Sequence, residues 1–396
     1  MNKLTIRDID LKNKKVLMRV DFNVPIKDGK ITDDTRIKAA LPSIEYILEQ
    51  NGALILMSHL GKPKGKDTKY SLAPCAERLS LLLNKKVIMA PDCIGPDVQK
   101  LINELKGGEV LLLENLRFYE AEEHPEKDSS FAKTLASYAD VYVNDAFGTA
   151  HRAHSSTATI AQYFLNKAAC GFLMEKEVNF LGMLLHNPKR PFCAIIGGAK
   201  ISSKLGVVEK LLDKVDMLFI GGGMVFTFLK TQGRNIGNSI FEEDQLENAK
   251  KILAKGKNKL FLPLDIVIAD EQNNNIKIID INESIPMGYK GLDIGPKTLD
   301  HWQKELKKAK TIFWNGPVGM YEIDKFAKGT NTLAQILATI PATTVIGGGD
   351  SLAAISKLHL EDKFSHLSTG GGASLEYLEY GKLPGVDALS PYLTTK

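Results

Sequence analysis

Four glycine clusters, each closing a short apolar run, dominate the second half of this 396-residue chain. They are Gly197-Gly198 after Ala194-Ile195-Ile196, Gly221-Gly222-Gly223 after Leu218-Phe219-Ile220, Gly347-Gly348-Gly349 after Thr344-Val345-Ile346, and Gly370-Gly371-Gly372 after Leu367-Ser368-Thr369. A helix-like pattern follows each. A strand that ends in glycines and turns into a helix leaves backbone N–H groups free at the helix start. The helix dipole adds positive charge there, so phosphate binds well. Glycine suits such turns because no Cβ clashes with a positive φ or with a ligand. One such loop serves tight packing as readily as a ligand. Four in one half argue for one nucleotide site along the carboxyl edge of a parallel sheet.

Strands and helices alternate through the first half as well. Lys14 to Val20, Ala53 to Met57, Lys86 to Met89, Val110 to Leu113 and Val141 to Val143 read as strands. Thr35 to about Gln50, Ser71 to Leu83, Asp97 to Leu105 and Phe131 to Tyr138 read as helices, with Asp33 or Asp34 placed to cap the first. The alternation argues an α/β fold, with parallel sheets covered by helices on both faces. Gly171 to Leu185 reads as an amphipathic helix between the halves, closed by Asn187-Pro188. In the second half, Glu242 to Lys255 reads as a helix, and Pro263 ends or bends a strand over Lys259 to Ile268.

Polar and cationic residues recur just after the first-half strands: Asp21 and Asn23, His59 and Lys62, Arg117, then His151 and Arg152. Each alone has a bland explanation. Together they suggest a basic pocket for a phosphorylated anion at the carboxyl edge, where arginines suit bidentate contact. Arg36 in a first helical turn opposes the helix dipole, so it is either solvated surface or waiting for an anion. The net charge of +4 is too small to call for nucleic acid, and no basic stripe interleaved with aromatics occurs. Cys75, Cys93, Cys170 and Cys193 lack metal-ligand spacing, which suggests reduced thiols in a cytosolic protein. No apolar leader or membrane-length stretch is found.

The Walker A pattern is absent, as are G-x-G-x-x-G at a strand–helix turn and the protein-kinase motifs. Phosphoryl transfer needs none of them. It needs phosphates held in line, charge neutralised on the moving group, and usually Mg²⁺. Asp350 at a helix start is placed either to cap the helix or to hold Mg²⁺. Lys200 and Lys204, at i and i+4, share a face of the following helix, as holders of a polyphosphate or as a surface pair. No catalytic base stands out, which fits an acceptor already ionised, such as a carboxylate.

These segments resemble phosphoglycerate kinases through nearly the whole length and in the family's order. The stretches that carry the resemblance are Arg19 to Pro25, Ser58 to Pro63, Leu112 to Phe118, Asn144 to Thr157, Gly197 to Lys204, Phe313 to Gly319, Ile346 to Ser351 and Ser368 to Glu376. The resemblance implies two Rossmann-like domains with a cleft between them. Residues 1–170 would bind 3-phosphoglycerate, 171–186 would form the interdomain helix, and 187–381 would bind nucleotide. The tail 382–396 would return to the first domain. The implied reaction is reversible transfer of the acyl phosphate of 1,3-bisphosphoglycerate to MgADP.

Carried over residue by residue, the resemblance puts glycerate binding on Asp21, Phe22, Asn23, Arg36, His59, Leu60, Gly61, Lys62, Arg117 and Arg152. It puts nucleotide binding on Lys200, Lys204, Gly222, Gly291, Asn315, Glu322, Gly347, Gly348, Gly349, Asp350 and Ser351. Asp350 matches the metal contact. Arg36, Lys204, Gly348 and Gly371 match groups that stabilise the moving phosphoryl. Lys62 stands where many relatives have arginine, and Ser351 where some have threonine. A cytoplasmic monomer with small-molecule substrates is implied, with no nucleic acid or membrane partner. A nicotinamide dehydrogenase would predict a fingerprint that the clusters do not fit. A non-catalytic nucleotide sensor would have no use for the first-half arginines and histidines.

Overall fold

The computed structural model describes residues 2–392, so Met1 and residues 393–396, the last part of the tail expected to return, lie outside the described residues. The chain divides into two compact units. Unit 1 runs to Asn179 and resumes at Lys382; unit 2 is Phe180–Gly381.

Unit 1 is built on a 6-stranded sheet of order β5-β6-β4-β1-β7-β8. Its strands are β1 (Lys15–Arg19), β4 (Ala53–Met57), β5 (Val87–Met89), β6 (Val110–Leu112), β7 (Val141–Asn144) and β8 (Ala168–Cys170). A short hairpin, β2 (Ile26–Lys27) and β3 (Lys30–Ile31), turns at Asp28-Gly29 beside the sheet. All pairings within the sheet are parallel. Its central strands read as unbroken apolar runs because both faces are covered; β4 (Ala-Leu-Ile-Leu-Met) is buried at every position. The covering helices are α1 (Thr35–Glu49), α2 (Ala73–Leu83), α3 (Pro96–Glu104), α4 (Glu120–Glu123) and α5 (Ser130–Ala136). Helix α1 turns Ile37, Ala40, Ile44 and Ile47 to the core at three- and four-residue spacing. Asp34 sits at its N-cap position without a side-chain cap. Asp33 accepts from the Thr35 N–H at 2.9 Å instead, while Asp34 takes a bond from Arg78.

Helix α6 (Phe172–His186) carries the chain across the division at Asn179. Unit 2 holds a second 6-stranded parallel sheet of order β11-β10-β9-β15-β16-β17. Its strands are β9 (Phe192–Ile196), β10 (Met217–Ile220), β11 (Leu260–Phe261), β15 (Thr311–Asn315), β16 (Thr343–Gly347) and β17 (His366–Leu367). Renumbered within the sheet, this is the doubly wound order 3-2-1-4-5-6, with its switch point between β9 and β15. The helices are α7 (Leu205–Lys214), α8 (Val225–Thr231), α9 (Leu246–Lys255), α10 (Pro296–Leu306), α11 (Lys328–Ala338), α12 (Gly349–Lys357) and α13 (Gly372–Tyr380). Trp302, Trp314 and Phe219 fill the core.

A fold of parallel sheets alone did not anticipate the 3-stranded antiparallel sheet of unit 2, β13-β12-β14. Its strands are β12 (Asp265–Asp270), β13 (Lys277–Asp280) and β14 (Tyr289–Ile294). Of the two readings of Pro263, an end and not a bend is what the structure shows, because the strands on its two sides, β11 and β12, belong to different sheets. After α13, the short helix α14 (Pro384–Asp387) belongs to unit 1. Gly385 N donates to Ala150 O at 2.8 Å, and Ser390 N to Ala168 O at 2.9 Å.

Candidate active site

In unit 1 the adjacent strands β6, β4, β1 and β7 deliver their following loops to one sheet edge. Those loops carry Arg117, His59, Asp21-Phe22-Asn23 and Arg152. Hydrogen bonds tie them together. Arg36 Nη1, from the start of α1, donates to Asp21 Oδ2 at 2.9 Å and to Asn23 O at 3.2 Å. Gly61 N donates to Asn23 Oδ1 at 2.9 Å, and Arg117 Nη1 donates to Gly61 O at 2.6 Å. Arg117 Nη2 lies 3.0 Å from Glu123 Oε1, and Arg152 Nη1 lies 3.8 Å from the same oxygen. Phe22 and Leu60 are buried, whereas Lys62 is exposed beside Gly61.

The balance of this edge is cationic. The Arg117 side chain is only 5 % exposed, and its Nε has no acceptor. Burial pulls its guanidinium down from the usual arginine value, and Arg152 and Arg19 add repulsion against the pull of Glu123. A buried guanidinium with an unsatisfied N–H is costly unless an anion completes it. His59 is buried, and burial followed by the charge of Arg19 holds its imidazole well below the ordinary histidine value. His151, next to Arg152, is lowered by burial and by that arginine.

Two positioning residues escaped sequence reading. Asn115 is fully buried; its Nδ2 donates to Leu60 O at 2.8 Å and to Tyr70 O at 2.9 Å, and its Oδ1 accepts from Arg117 N at 3.1 Å. It fixes the Leu60-Gly61 loop against the Arg117 turn. Arg19, the last residue of β1, is buried behind His59. Both lie inside recognisable segments, but only their partners, distant in sequence, reveal the role.

In unit 2 two cavities adjoin. One, of about 320 Å³, is walled by Phe226, Ile240, Ile266, Leu292 and Val318, with Gly222, Gly291 and Glu322 at its border. Gly291 is there because a Cβ would overlap the ring edge of Phe226. The other, of about 410 Å³, is lined by Lys200, Lys204, Asn315, Gly316, Gly348 and Gly371. Gly198, Ala199, Pro317 and Asp350 border both. An apolar slot therefore opens into a polar one, the arrangement a nucleoside carrying phosphates requires.

Gly348 and Gly371 are the N-caps of α12 and α13, so two helix starts face the polar cavity. Gly348 holds φ at +89°, which a side chain at that position would strain. Asp350 is exposed in the first turn of α12, two residues past the cap, so its carboxylate caps nothing. Gly347 ends β16 beneath Asn315, while Gly349 is exposed. Ser351 is buried, and its hydroxyl accepts from Gly316 N at 2.8 Å, holding the loop after β15.

The two lysines part company. Helix α7 begins only at Leu205, so Lys200 and Lys204 lie in the preceding turn and share no helical face, contrary to the spacing argument. Lys200 is exposed. Lys204 Nζ reaches Gly197 O at 2.6 Å, Asn315 Oδ1 at 2.8 Å and Asn315 O at 3.2 Å. Burial pulls its ammonium down to about 8, opposed by Asp350. Asn315 Nδ2 is buried without an acceptor. Sequence reasoning also missed the apolar wall, since Phe226, Ile240, Leu292 and Val318 come from segments that only tertiary structure unites.

Among the described residues no group of three or more acidic, histidine or cysteine side chains could hold a metal. A lone carboxylate, that of Asp350, beside a polar cavity faced by two helix starts fits Mg²⁺, which keeps its waters and binds through one or two carboxylates plus substrate phosphates.

Comparison with known proteins points one way. The family model described as phosphoglycerate kinase matches residues 6–382. The phosphoglycerate kinase of Chloroherpeton thalassium is 55% identical over 399 residues, covering 98% of this chain and 100% of that one. That of Fervidobacterium nodosum is 53% identical, covering 98% and 99%. Among solved structures, phosphoglycerate kinase from Coxiella burnetii matches with a TM-score of 0.87 at 41% identity, over 98% of both chains. The enzyme from Pyrococcus horikoshii OT3 matches at 0.86 and 34%, again over 98% of both.

Proposed function

The chain belongs to the phosphoglycerate kinase family, and from that premise we infer how its two sites divide the labour of a phosphotransferase. The reaction is phosphoryl transfer between 1,3-bisphosphoglycerate and ADP, giving 3-phosphoglycerate and ATP. The glycerate substrate takes the arginine edge of unit 1, and the nucleotide takes the paired cavities of unit 2. The observation that carries this division is the Arg117 guanidinium, buried with an unpartnered Nε. A phosphorylated carboxylic acid supplies the missing acceptor. The base and ribose fit the apolar slot of unit 2, and the phosphates meet the starts of α12 and α13 and Lys204.

The acceptor oxygen is already a carboxylate, so the chain needs no general base. Catalysis reduces to positioning and charge stabilisation. Arg36 supplies positive charge from unit 1. Lys204, aligned by Gly197 O and Asn315, supplies it from unit 2, and the amide groups of Gly348 and Gly371 donate to the phosphoryl oxygens in transit. Asp350 is the residue that would hold Mg²⁺, which would supply neutralisation of the phosphate charge there. Transfer is direct and in line. Because the two substrates are held on different units, the units close on one another for the step. Helix α6, which crosses the division, is the element placed to hinge. Small-angle scattering that showed no compaction with both substrates bound would remove closure from the mechanism.

The same reading makes the protein a cytoplasmic monomer whose partners are small molecules. No helix of the described residues is long and apolar enough to cross a membrane. The deciding experiment is ATP-dependent phosphorylation of 3-phosphoglycerate by the purified protein, followed as NADH loss through a coupled dehydrogenase. Turnover is expected with Mg²⁺ and is expected to stop on chelation. A folded protein that binds nucleotide but turns nothing over would be a sensor instead.

A further inference from the structure

Behind the glycerate edge of unit 1 lies a buried polar chain in which the donor at each link is fixed, with Arg19 donating to both sides. Glu122 in α4, Ser156 after β7, Arg19 at the end of β1 and His59 after β4 are each at most 4 % exposed. Ser156 Oγ donates to Glu122 Oε1 at 2.6 Å, and Ser156 N donates to Glu122 Oε2 at 3.1 Å. With its proton committed to the carboxylate, the hydroxyl accepts from Arg19 Nε at 2.8 Å. Arg19 Nη1 donates to Val20 O, which leaves Nη2 to meet His59 Nδ1 at 3.2 Å. A guanidinium has no acceptor and does not lose its proton in proteins, so His59 Nδ1 must present its lone pair. The ring proton is then on Nε2, and among the described residues Nε2 has no hydrogen-bond partner.

We propose that Arg19, oriented by Ser156 and Glu122, is a positioning residue that locks His59 as the neutral Nε2–H tautomer, so that the ring meets the glycerate as an uncharged hydrogen-bond donor. The other groups that act on the ring reinforce this. Arg19, Arg117, Arg36 and His154 all oppose a charge on His59, and burial does so most. The negative charge of Glu122 is taken up by Arg19 and the Ser156 bonds, which counter the upward push that burial gives its carboxyl. The ring then adds no charge to the site, whose cations are its arginines and the exposed Lys62, and substrate binding carries no titration of His59. The proposal deepens the glycerate-site reading given above and rests on it for the substrate's identity.

The test reads the imidazole directly in ligand-free protein, so it does not depend on that identity. Two-bond ¹⁵N–¹H correlation spectra of the histidine-labelled full chain should show His59 as a single Nε2–H tautomer, unchanged from pH 5 to pH 9. An Nδ1–H signature, or an ordinary titration in that range, overturns the proposal. The paired replacement Arg19→Met with Glu122→Gln keeps the buried charge balanced and should release a mixture of tautomers and a titrating ring. A pure Nε2–H ring in that variant overturns the role of Arg19.

Should the pair not fold, Ser156→Ala removes only the link. It is expected to let an Nδ1–H population appear, and to raise KM for 3-phosphoglycerate about tenfold with kcat nearly unchanged, as loss of one oriented hydrogen bond predicts. An unchanged tautomer with unchanged KM overturns the relay. Intact tautomer behaviour in a protein that fails to bind 3-phosphoglycerate at all would instead count against the glycerate-site reading.

Discussion

The edge of β6, β4, β1 and β7 in unit 1 presents guanidinium groups, whereas the edge of β9, β15 and β16 in unit 2 presents main chain. Arg36, Arg117 and Arg152 hold the first site through side chains whose partners are Asp21, Gly61 and Glu123. The second is made by the starts of α12 and α13, with the half-buried Lys204 and the exposed Lys200 as the cations among the described lining residues. The proposed division of substrates accounts for the difference. A small triose phosphate offers few atoms, so specificity needs forked donors on each anionic group. A nucleotide offers a flat apolar base and a chain of phosphates, for which a greasy slot and helix starts suffice. The two sites should therefore break differently.

The largest effect is expected in unit 1. Arg36→Ala should lower kcat about 10³-fold, because a charge that acts on the moving phosphoryl in a water-poor site is lost. KM for ATP should stay within a few-fold, since Arg36 lies in unit 1. Steady-state kinetics with each substrate varied in turn make the check. A kcat within tenfold of the parent would end the transition-state role and leave Arg36 only its contacts to Asp21 and Asn23.

A smaller effect, and one of a different kind, is expected in unit 2. Gly222 holds φ at +71°, and a Cβ there would lie 2.6 Å from both N and O of Gly198 and 2.9 Å from Pro317 O. All three contacts are backbone, so no side chain can swing aside. Gly222→Ala should push apart the loops that frame the nucleotide slot and raise Kd for ADP on the order of tenfold, with strain of about 1–2 kcal/mol on the fold. Binding of 3-phosphoglycerate should be untouched. Calorimetric titration with each ligand separates the two; a variant that lost glycerate binding equally would show that the sites are not independent.

The same contrast explains what could be read from the residues alone. Glycine clusters at strand ends are local in sequence, so the strand-to-helix loops of unit 2 were legible, as were the strands whose apolar runs are unbroken. Arg117, Arg152 and His59 were legible as a group because each lies in the loop after a strand, whereas Arg36, in the first turn of α1, gave no such signal. Arg19 and Glu122 were not, since their meaning depends on Ser156, which is far from both in the chain. Lys200 and Lys204 misled because their i, i+4 spacing presumes a helix that starts five residues later than Lys200, at Leu205. The β12–β14 sheet was missed because Pro263 marks a change of sheet, and nothing local distinguishes that from a bend.

The smallest effect concerns acid stability, where the units should move in opposite directions. In unit 1, burial holds His59, His151 and His154 below the ordinary histidine value, His154 down to about 3. The unfolded chain binds protons at these rings near 6.5 while the folded unit does not, so the stability they contribute is present above that pH and lost as pH falls. Asp145, pushed up to about 7 by burial, opposes them. In unit 2, burial pushes Asp293 up to about 7 as well. There the folded state keeps a proton that the unfolded chain has released, so its contribution is present at low pH and lost as pH rises through 7. Lys204, pulled down to about 8 by burial, stays charged through this window and plays no part in it.

Lowering the pH from 7 to 5 should therefore weaken unit 1 relative to unit 2. Hydrogen exchange of the full chain read by mass spectrometry, corrected for intrinsic rates, should show β1, β4 and β7 losing protection relative to β9, β15 and β16 by on the order of tenfold. Equal loss in both sheets would mean that the buried histidines of unit 1 do not carry its acid response. Greater loss in unit 2 would mean that Asp293 is ionised in the folded protein at neutral pH, held so by the amides of Ile294 and Gly329 that donate to it at 2.9 and 2.7 Å.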